Sequence, residues 1–419
     1  MGAVALLVIA TPLVMVPDAR DAFALPKLMV AETLGLASLL LLACGLWRVE
    51  RVDPRRLLRH PAVLAVAPAL AIASVGWLTS DHPLHVRRAL VDLWIGASCL
   101  VGWSLALRRA TLRRLLDLLL IPAVLLSLLA ALQFYGVFQP FRFGMGAHSE
   151  RLEVTSLAGN PGDLAAFLVL PALVAQAGLV RPGSRRWLWG AGLALCAYGL
   201  AVTQTLTSLA ALAIGSLVLW IAWLPRRRLL LGVASVATAT ALLVLAVAPL
   251  RGRVADRVAG VQRGEAVNEI LSGRIDGWRA AAWMVRHHPW AGVGHGAYRA
   301  EFVPAKLALL AAGQPFLPGH ASAMFVNAHG EYFEVAAEWG FPGALALLWG
   351  IGVLLATAGR RCRGGRASVP SAGECGLLCG GIAALAVVAA GYFPFRLALT
   401  AYPALLLLAW ALAAAEEPE

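Results

Sequence analysis

Apolar residues run through this chain in long blocks separated by short polar connections. They do not alternate as in a half-buried strand, nor form the one-sided stripe of a soluble helix. Twelve such blocks lie near 2–17, 24–47, 61–79, 89–106, 115–137, 162–180, 187–203, 208–224, 229–249, 341–359, 374–393 and 397–414. At about 1.5 Å of rise per residue, most can cross roughly 30 Å of hydrocarbon; the first and seventh are short. The pattern predicts an all-α polytopic membrane protein of about 12 transmembrane helices. It has three parts: helices one to nine in 1–249, a long polar segment in 250–340, and the last three helices in 341–419.

Arginine placement orients these spans. Arg48 to Arg59, Arg108 to Arg114, Arg181 to Arg186, Arg226 to Arg228 and Arg360 to Arg366 fall in every second connection, and the phase never slips. By the excess of positive charge on cytoplasmic loops, these connections and both termini are expected in the cytoplasm. The first residues, Met-Gly-Ala-Val-Ala-Leu-Leu, have no positive n-region, so this span is expected to stay in place.

Composition sharpens the class. The 419 residues are 60% hydrophobic with a mean hydropathy of +0.75, above the range of soluble domains. The net charge of +12 would suggest a nucleic-acid partner for a soluble chain; here it sits in short loops, and no nucleic-acid partner is expected. Cys44, Cys99, Cys196, Cys362, Cys375 and Cys379 fall in spans or on the cytoplasmic side, so no disulfide is expected.

Two segments stand on the opposite face. Residues 138–161 form a loop of moderate length. Residues 250–340 are too long for a passive connection and hold five of the nine histidines: His287, His288, His295, His320 and His329. Chemistry is therefore expected outside the cytoplasm, where ATP is absent.

Within the long segment, Ser272 to Arg286 predicts a helix with Arg274, Trp278, Ala281 and Val285 on one face. It ends before His288-Pro289, because the residue before proline avoids the α region. Trp290 to Gly296 is a glycine-rich turn, with neither the strand nor the acid of a dinucleotide site. A second helix is expected over 328–339, stopped by Gly340, with Pro342 starting the next span. In it His329, Tyr332, Phe333 and Ala336 share a face, and Glu331, Glu334 and Glu338 lie roughly opposite. Any partner for His329 must then come from elsewhere. The glutamates read as a solvated face before an acid–base pair, and Arg274 as an ion-pair partner of Asp276 or of a glutamate. An isolated histidine in such a loop is ordinarily polar surface; His329 stands apart by its place at the membrane boundary beside Tyr332. No His-Glu-x-x-His spacing is present, and His329-Gly-Glu331 lacks the Pro-Cys-x-x-Cys of zinc deaminases. No metal or other cofactor is expected.

Several stretches, in order, resemble the O-antigen ligase and polymerase superfamily of bacterial envelope enzymes. They are Asp21 to Lys27; Arg151 followed by Gly159-Asn160-Pro161-Gly162-Asp163-Leu164-Ala165; Gly273-Arg274 with Trp278, then Pro289 to Gly296; and Ala328-His329-Gly-Glu-Tyr332 with Glu338-Trp-Gly340. The resemblance covers most of the chain. One departure is clear: many members carry Ser-Arg-Gly just after the seventh span, where this chain has Thr205-Leu-Thr-Ser-Leu-Ala-Ala211. If that arginine binds donor phosphate, Arg142, Arg151, Arg279 or Arg396 is left to serve.

The resemblance implies a GT-C-like glycosyltransferase in the bacterial inner membrane with a periplasmic active site. The donor would be a glycan on undecaprenyl diphosphate. The acceptor would be lipid A–core for a ligase, or another lipid-linked unit for an O-antigen or exopolysaccharide polymerase. Related enzymes glycosylate protein, and membrane lipids are the other partners. A sugar hydroxyl is a poor nucleophile, and a histidine is suited to take its proton, which gives His329 the role of general base. A lipid diphosphate leaves as an anion and needs cations, for which Arg274 is the first candidate, with Arg151, Arg279, Tyr332 and Asn160 as further substrate contacts. A secondary transporter or a scaffold remains the reading from another class. Transporters bind near the bilayer midplane, where this chain has few charges, chiefly Lys27, Glu32 and Asp92.

Overall fold

The computed structural model describes residues 1–19, 21–47, 54–139, 150–224, 228–317, 324–363 and 372–413. Arg142, His320 and parts of the basic connections at 48–53, 225–227 and 364–371 lie outside these. Among the described residues every regular element is helical. The protein is a polytopic membrane protein.

Each of the twelve expected spans coincides with a helix, but not all are equal. Eight of the described helices are long and apolar enough to cross a membrane, or nine if the bent pair Leu230–Ala246 and Ala248–Gln262 counts as one span. Gly2–Leu13 and Ala398–Leu412 are apolar but shorter. The pair bends by 107° at Val247, with Pro249 in the first turn of the second helix. The polar helix Ala248–Gln262 is thereby turned away from the line of Leu230–Ala246 and touches helix Arg186–Val202.

Helix Pro161–Leu179 is the central staff, with Leu164, Leu168, Leu173 and Phe167 fully enclosed. Helices Leu206–Trp223 and Ala372–Gly391 pack closely through small residues. A Cβ on Gly215 would lie 2.9 Å from the carbonyl of Gly380, and one on Gly380 would lie 2.5 Å from the carbonyl of Gly215. Inside a membrane, where burial of apolar surface does not drive association, such close approach is what holds helices together.

The long polar segment is mostly helical and has a core of its own. Met284, Tyr298, Phe302, Phe316 and Trp339 cluster there against Val86 and Leu90 of helix Pro83–Ala106. The glycine-rich turn is the joint. Its N–H groups at Val293 and Gly294 donate to the carbonyls of Ala337 and Glu338, both at 3.0 Å, and Ser80 Oγ donates to the Val293 carbonyl at 2.5 Å. Gly294 has φ +99°, and a Cβ there would meet Val86 at 2.6 Å; only glycine fits.

Two expectations need correction. The expected helix over 328–339 starts instead at Glu331 and runs on to Arg363, kinked at Gly340 (φ +66°, ψ −165°). Its first turn is pinned by distant and local partners: Glu331 N–H donates to the Tyr392 carbonyl at 3.2 Å, and the Glu334 carboxylate accepts from Ala328 N–H at 2.9 Å and Asn327 Nδ2 at 2.8 Å. His329 therefore sits in the turn before the helix, at φ +55°, and shares no helical face with Tyr332. The glutamate row is not a solvated face either: Glu331, Glu334 and Glu338 are enclosed around Arg396. All six cysteines are free.

Candidate active site

His329 lies where the long segment meets the bundle. Its ring is half-buried between two aromatic rings, with centroids 5.5 Å from Phe325 and 5.7 Å from Phe393. Phe393 stacks on Tyr392 at 4.3 Å. Trp278 stacks on Phe333 at 4.8 Å, and its Nε1 abuts Gly330, next in chain to His329. A left-handed backbone at a non-glycine residue is uncommon, though histidine tolerates it better than most; here it is held by the Tyr392 carbonyl on one side and Glu334 on the other.

Beside Tyr392 the chain gathers cations. The Tyr392 hydroxyl donates to Asp163 in the first turn of helix Pro161–Leu179. Arg151 and Arg274 both lie within electrostatic range of that hydroxyl and of each other. Arg274 is held below the usual arginine range by burial, with Arg253 and Arg257 pushing the same way and Tyr392 opposing. Arg151 is lowered by burial, opposed by Tyr392 and reinforced by Arg274. Arg151 is anchored: its Nε donates to the Thr203 carbonyl at 3.1 Å and its Nη2 to Thr205 Oγ1 at 3.5 Å. It thus reaches the very segment in which the Ser-Arg-Gly arginine is missing.

Arg274 has no such anchor. Among the described residues its guanidinium finds no hydrogen-bond acceptor and no ion pair. The expected partner, Asp276, is engaged elsewhere, by Asn268 Nδ2 at 2.8 Å, Leu317 N–H at 3.1 Å and Arg279 at 3.7 Å. Among the described residues, no carboxylate comes within 4.0 Å of Arg151, Arg253, Arg257 or Arg274. Sequence reading missed Arg253 and Arg257; their spacing of four on one polar helix was the available signal.

A second charged group closes the other side. Arg396 donates from Nη2 to Glu338 at 2.7 Å and from Nε to Glu331 at 3.1 Å, with Glu334 at 3.8 Å. The side chains of Glu334 and Glu338 are 1% exposed and that of Glu331 8%, which rules out a solvated face. The carboxylates around Arg396 hold it well above the usual arginine range, against burial. Glu338 also meets His295 Nδ1 at 3.0 Å. This cluster ties helix Glu331–Arg363 to the connection between the last two helices. Arg396 is committed there, and is not available to replace the missing arginine.

The other sequence candidates are placed differently. Arg279 donates to the Pro315 carbonyl at 2.9 Å and to Gln314 at 3.2 Å, and lies over Phe316; it braces residues 314–316 and does not join the other arginines. Asn160 caps helix Pro161–Leu179, its Oδ1 accepting from Gly162 N–H at 2.7 Å. Tyr332 donates to the Ala386 carbonyl at 3.0 Å and lines a cavity of about 500 Å³. That cavity runs between helices of the bundle, mostly apolar, with Glu331, His295 and Arg396 at one end and Glu32 and Asp92 further in. No group of three His, Cys, Asp or Glu side chains among the described residues is arranged to hold a metal ion.

Fold and site together define a multi-pass membrane protein with a histidine and a group of arginines where a long polar segment caps the bundle. Residues 191–348 match the family described as O-antigen ligase, and this supports the O-antigen ligase and polymerase superfamily for the chain. The matched part holds His329, Arg274 and Arg253, while Arg151, Tyr392 and Arg396 lie outside it. No curated protein gives a match.

Proposed function

We propose that this protein transfers a glycan from undecaprenyl diphosphate to a sugar hydroxyl at the periplasmic face of the inner membrane, most like an O-antigen ligase with lipid A–core as acceptor. The family match supports a ligase- or polymerase-type enzyme in general. The observation that carries the finer reading is Arg274: half-buried, among like charges, and without an acceptor among the described residues. A guanidinium in that state is suited to an incoming anion with two charged oxygens.

In the proposed step the acceptor hydroxyl attacks the anomeric carbon. The new C–O bond forms as the C–O bond to the diphosphate breaks, and the electron pair leaves with the diphosphate. The hydroxyl proton passes to the His329 imidazole. Arg274 and Arg151 hold the diphosphate, so the main contributions are positioning and charge stabilisation. A single displacement inverts the anomeric centre. The apolar cavity beside Tyr332 suits a lipid chain.

Polymerase and protein-glycosylating activity remain alternatives within the same chemistry. The test is transfer by purified protein from a lipid-diphosphate glycan, with and without lipid A–core, read on a gel. Product only with lipid A–core supports the ligase. A lengthening ladder from donor alone makes the protein a polymerase, and no transfer to any acceptor sinks the reading.

A further inference from the structure

Arg253 and Arg257 stand one turn apart on helix Ala248–Gln262, both partly buried, yet they are treated differently by the fold. Arg257 is satisfied: its Nη1 donates to the Glu269 carbonyl at 2.8 Å and its Nη2 to Ser272 Oγ at 2.7 Å. It thereby shapes the turn at Ser272 and Gly273, both at positive φ, that delivers Arg274. Arg253 has no hydrogen bond and no ion pair among the described residues, and its Nε is shut off from solvent. A buried Nε donor without an acceptor among the described residues calls for an explanation.

Its surroundings supply one. The charges nearest in effect to Arg253 are Arg151 and Arg257, and the largest charge acting on Arg274 is Arg253. Three guanidinium groups from three separate elements thus lie within electrostatic range of one another: Arg151 from the turn before helix Pro161–Leu179, Arg274 from helix Arg274–His287, and Arg253 from the helix that follows the 107° bend. Mutual repulsion opposes this arrangement, and an anion between them reverses the sign.

We propose that Arg253 is a substrate-contacting residue whose guanidinium takes one phosphate of the lipid diphosphate while Arg274 takes the other. This rests on the diphosphate reading of the site and adds to it a third cation that no sequence motif marks. It also answers the gap at Thr205: the cation absent from that segment comes from the bent helix, with Arg151 resting on Thr203 and Thr205. When the glycan leaves, the diphosphate goes from a diester to a monoester and gains negative charge. A cation with no competing acceptor among the described residues is placed to stabilise that growing charge, so Arg253 acts on kcat as well as on binding.

The test uses full-length protein in lipid nanodiscs with farnesyl diphosphate, farnesyl monophosphate and farnesol as probes. Arg253→Gln is expected to bind farnesyl diphosphate about tenfold more weakly, with a smaller loss for the monophosphate and no fall in melting temperature. Arg286→Gln, which removes an exposed arginine from the far end of helix Arg274–His287, should bind like the unaltered chain. On the unaltered protein, farnesyl diphosphate should protect Arg253 from phenylglyoxal, read by mass spectrometry, so the result does not depend on a variant that folds. Affinity of Arg253→Gln within twofold of the unaltered chain, or equal labelling of Arg253 with and without probe, overturns the proposal. If the unaltered protein binds farnesyl diphosphate no better than farnesol, the diphosphate reading itself falls, and this proposal with it.

Discussion

The backbone N–H of Glu331 donates to the carbonyl of Tyr392 at 3.2 Å, across 61 residues of chain, 392 − 331. That one bond joins the two halves of the site. It fixes the turn that carries His329, and it belongs to the residue whose hydroxyl stands beside Arg151 and Arg274. His329 and a set of arginines are thereby held on either side of Tyr392–Phe393.

Arg274 should matter for chemistry and not for folding. Arg274→Gln is expected to lower transfer by about 10²-fold or more, the scale seen when one charge-stabilising donor is removed. Arg274→Lys should recover only part, because an ammonium lacks the planar fork. Neither should lower the melting temperature, since each leaves no acceptor unpaired and Arg274→Gln relieves repulsion from Arg253 and Arg257. Kinetics and thermal unfolding of the same preparations check this; a large drop in stability with normal turnover would assign Arg274 to the scaffold.

Arg396 is expected to behave the opposite way. Arg396→Leu leaves Glu331, Glu334 and Glu338 enclosed without their counter-charge, and breaking a buried pair in this manner costs about 3–5 kcal/mol. The melting temperature in detergent should fall by several degrees. A variant as stable as the original contradicts the assignment of this cluster as a tie between the long segment and the bundle.

Arg279 separates the two kinds of arginine within one helix. Because it braces Gln314 and Pro315, Arg279→Ala should speed proteolysis near residues 312–317 and change kcat/KM less than Arg274→Gln does. Equal kinetic losses from both variants would return Arg279 to the substrate site.

Transfer is expected to survive EDTA, since the proposed step uses a histidine and arginines throughout. Loss of activity that added divalent metal restores would require a metal in the mechanism.

Much of this was legible in the sequence because membranes impose strong local rules. The apolar runs are a period signal that needs no tertiary contact. Helix Arg274–His287 was readable for the same reason, from its periodicity and from the proline at 289. What was not legible depends on residues far apart. The glutamates at 331, 334 and 338 look like a solvated face until Arg396 arrives from the last connection. His329 looks helical until the Tyr392 carbonyl and the Glu334 carboxylate set the start of the helix two residues later. Arg253 looks like one more loop arginine until the bend at Val247 turns it toward Arg274.

In the proposed step His329 takes the acceptor proton. At φ +55° a glycine is at least as comfortable as a histidine, so His329→Gly should fold normally, within about 1 kcal/mol of the original. The deciding measurement is transfer from a lipid-diphosphate glycan in liposomes by the unaltered protein, His329→Gly and His329→Ala, with folding checked on each. The unaltered protein is expected to transfer the glycan, while both variants, though folded, are expected not to. Near-normal transfer by either variant would contradict that role of His329.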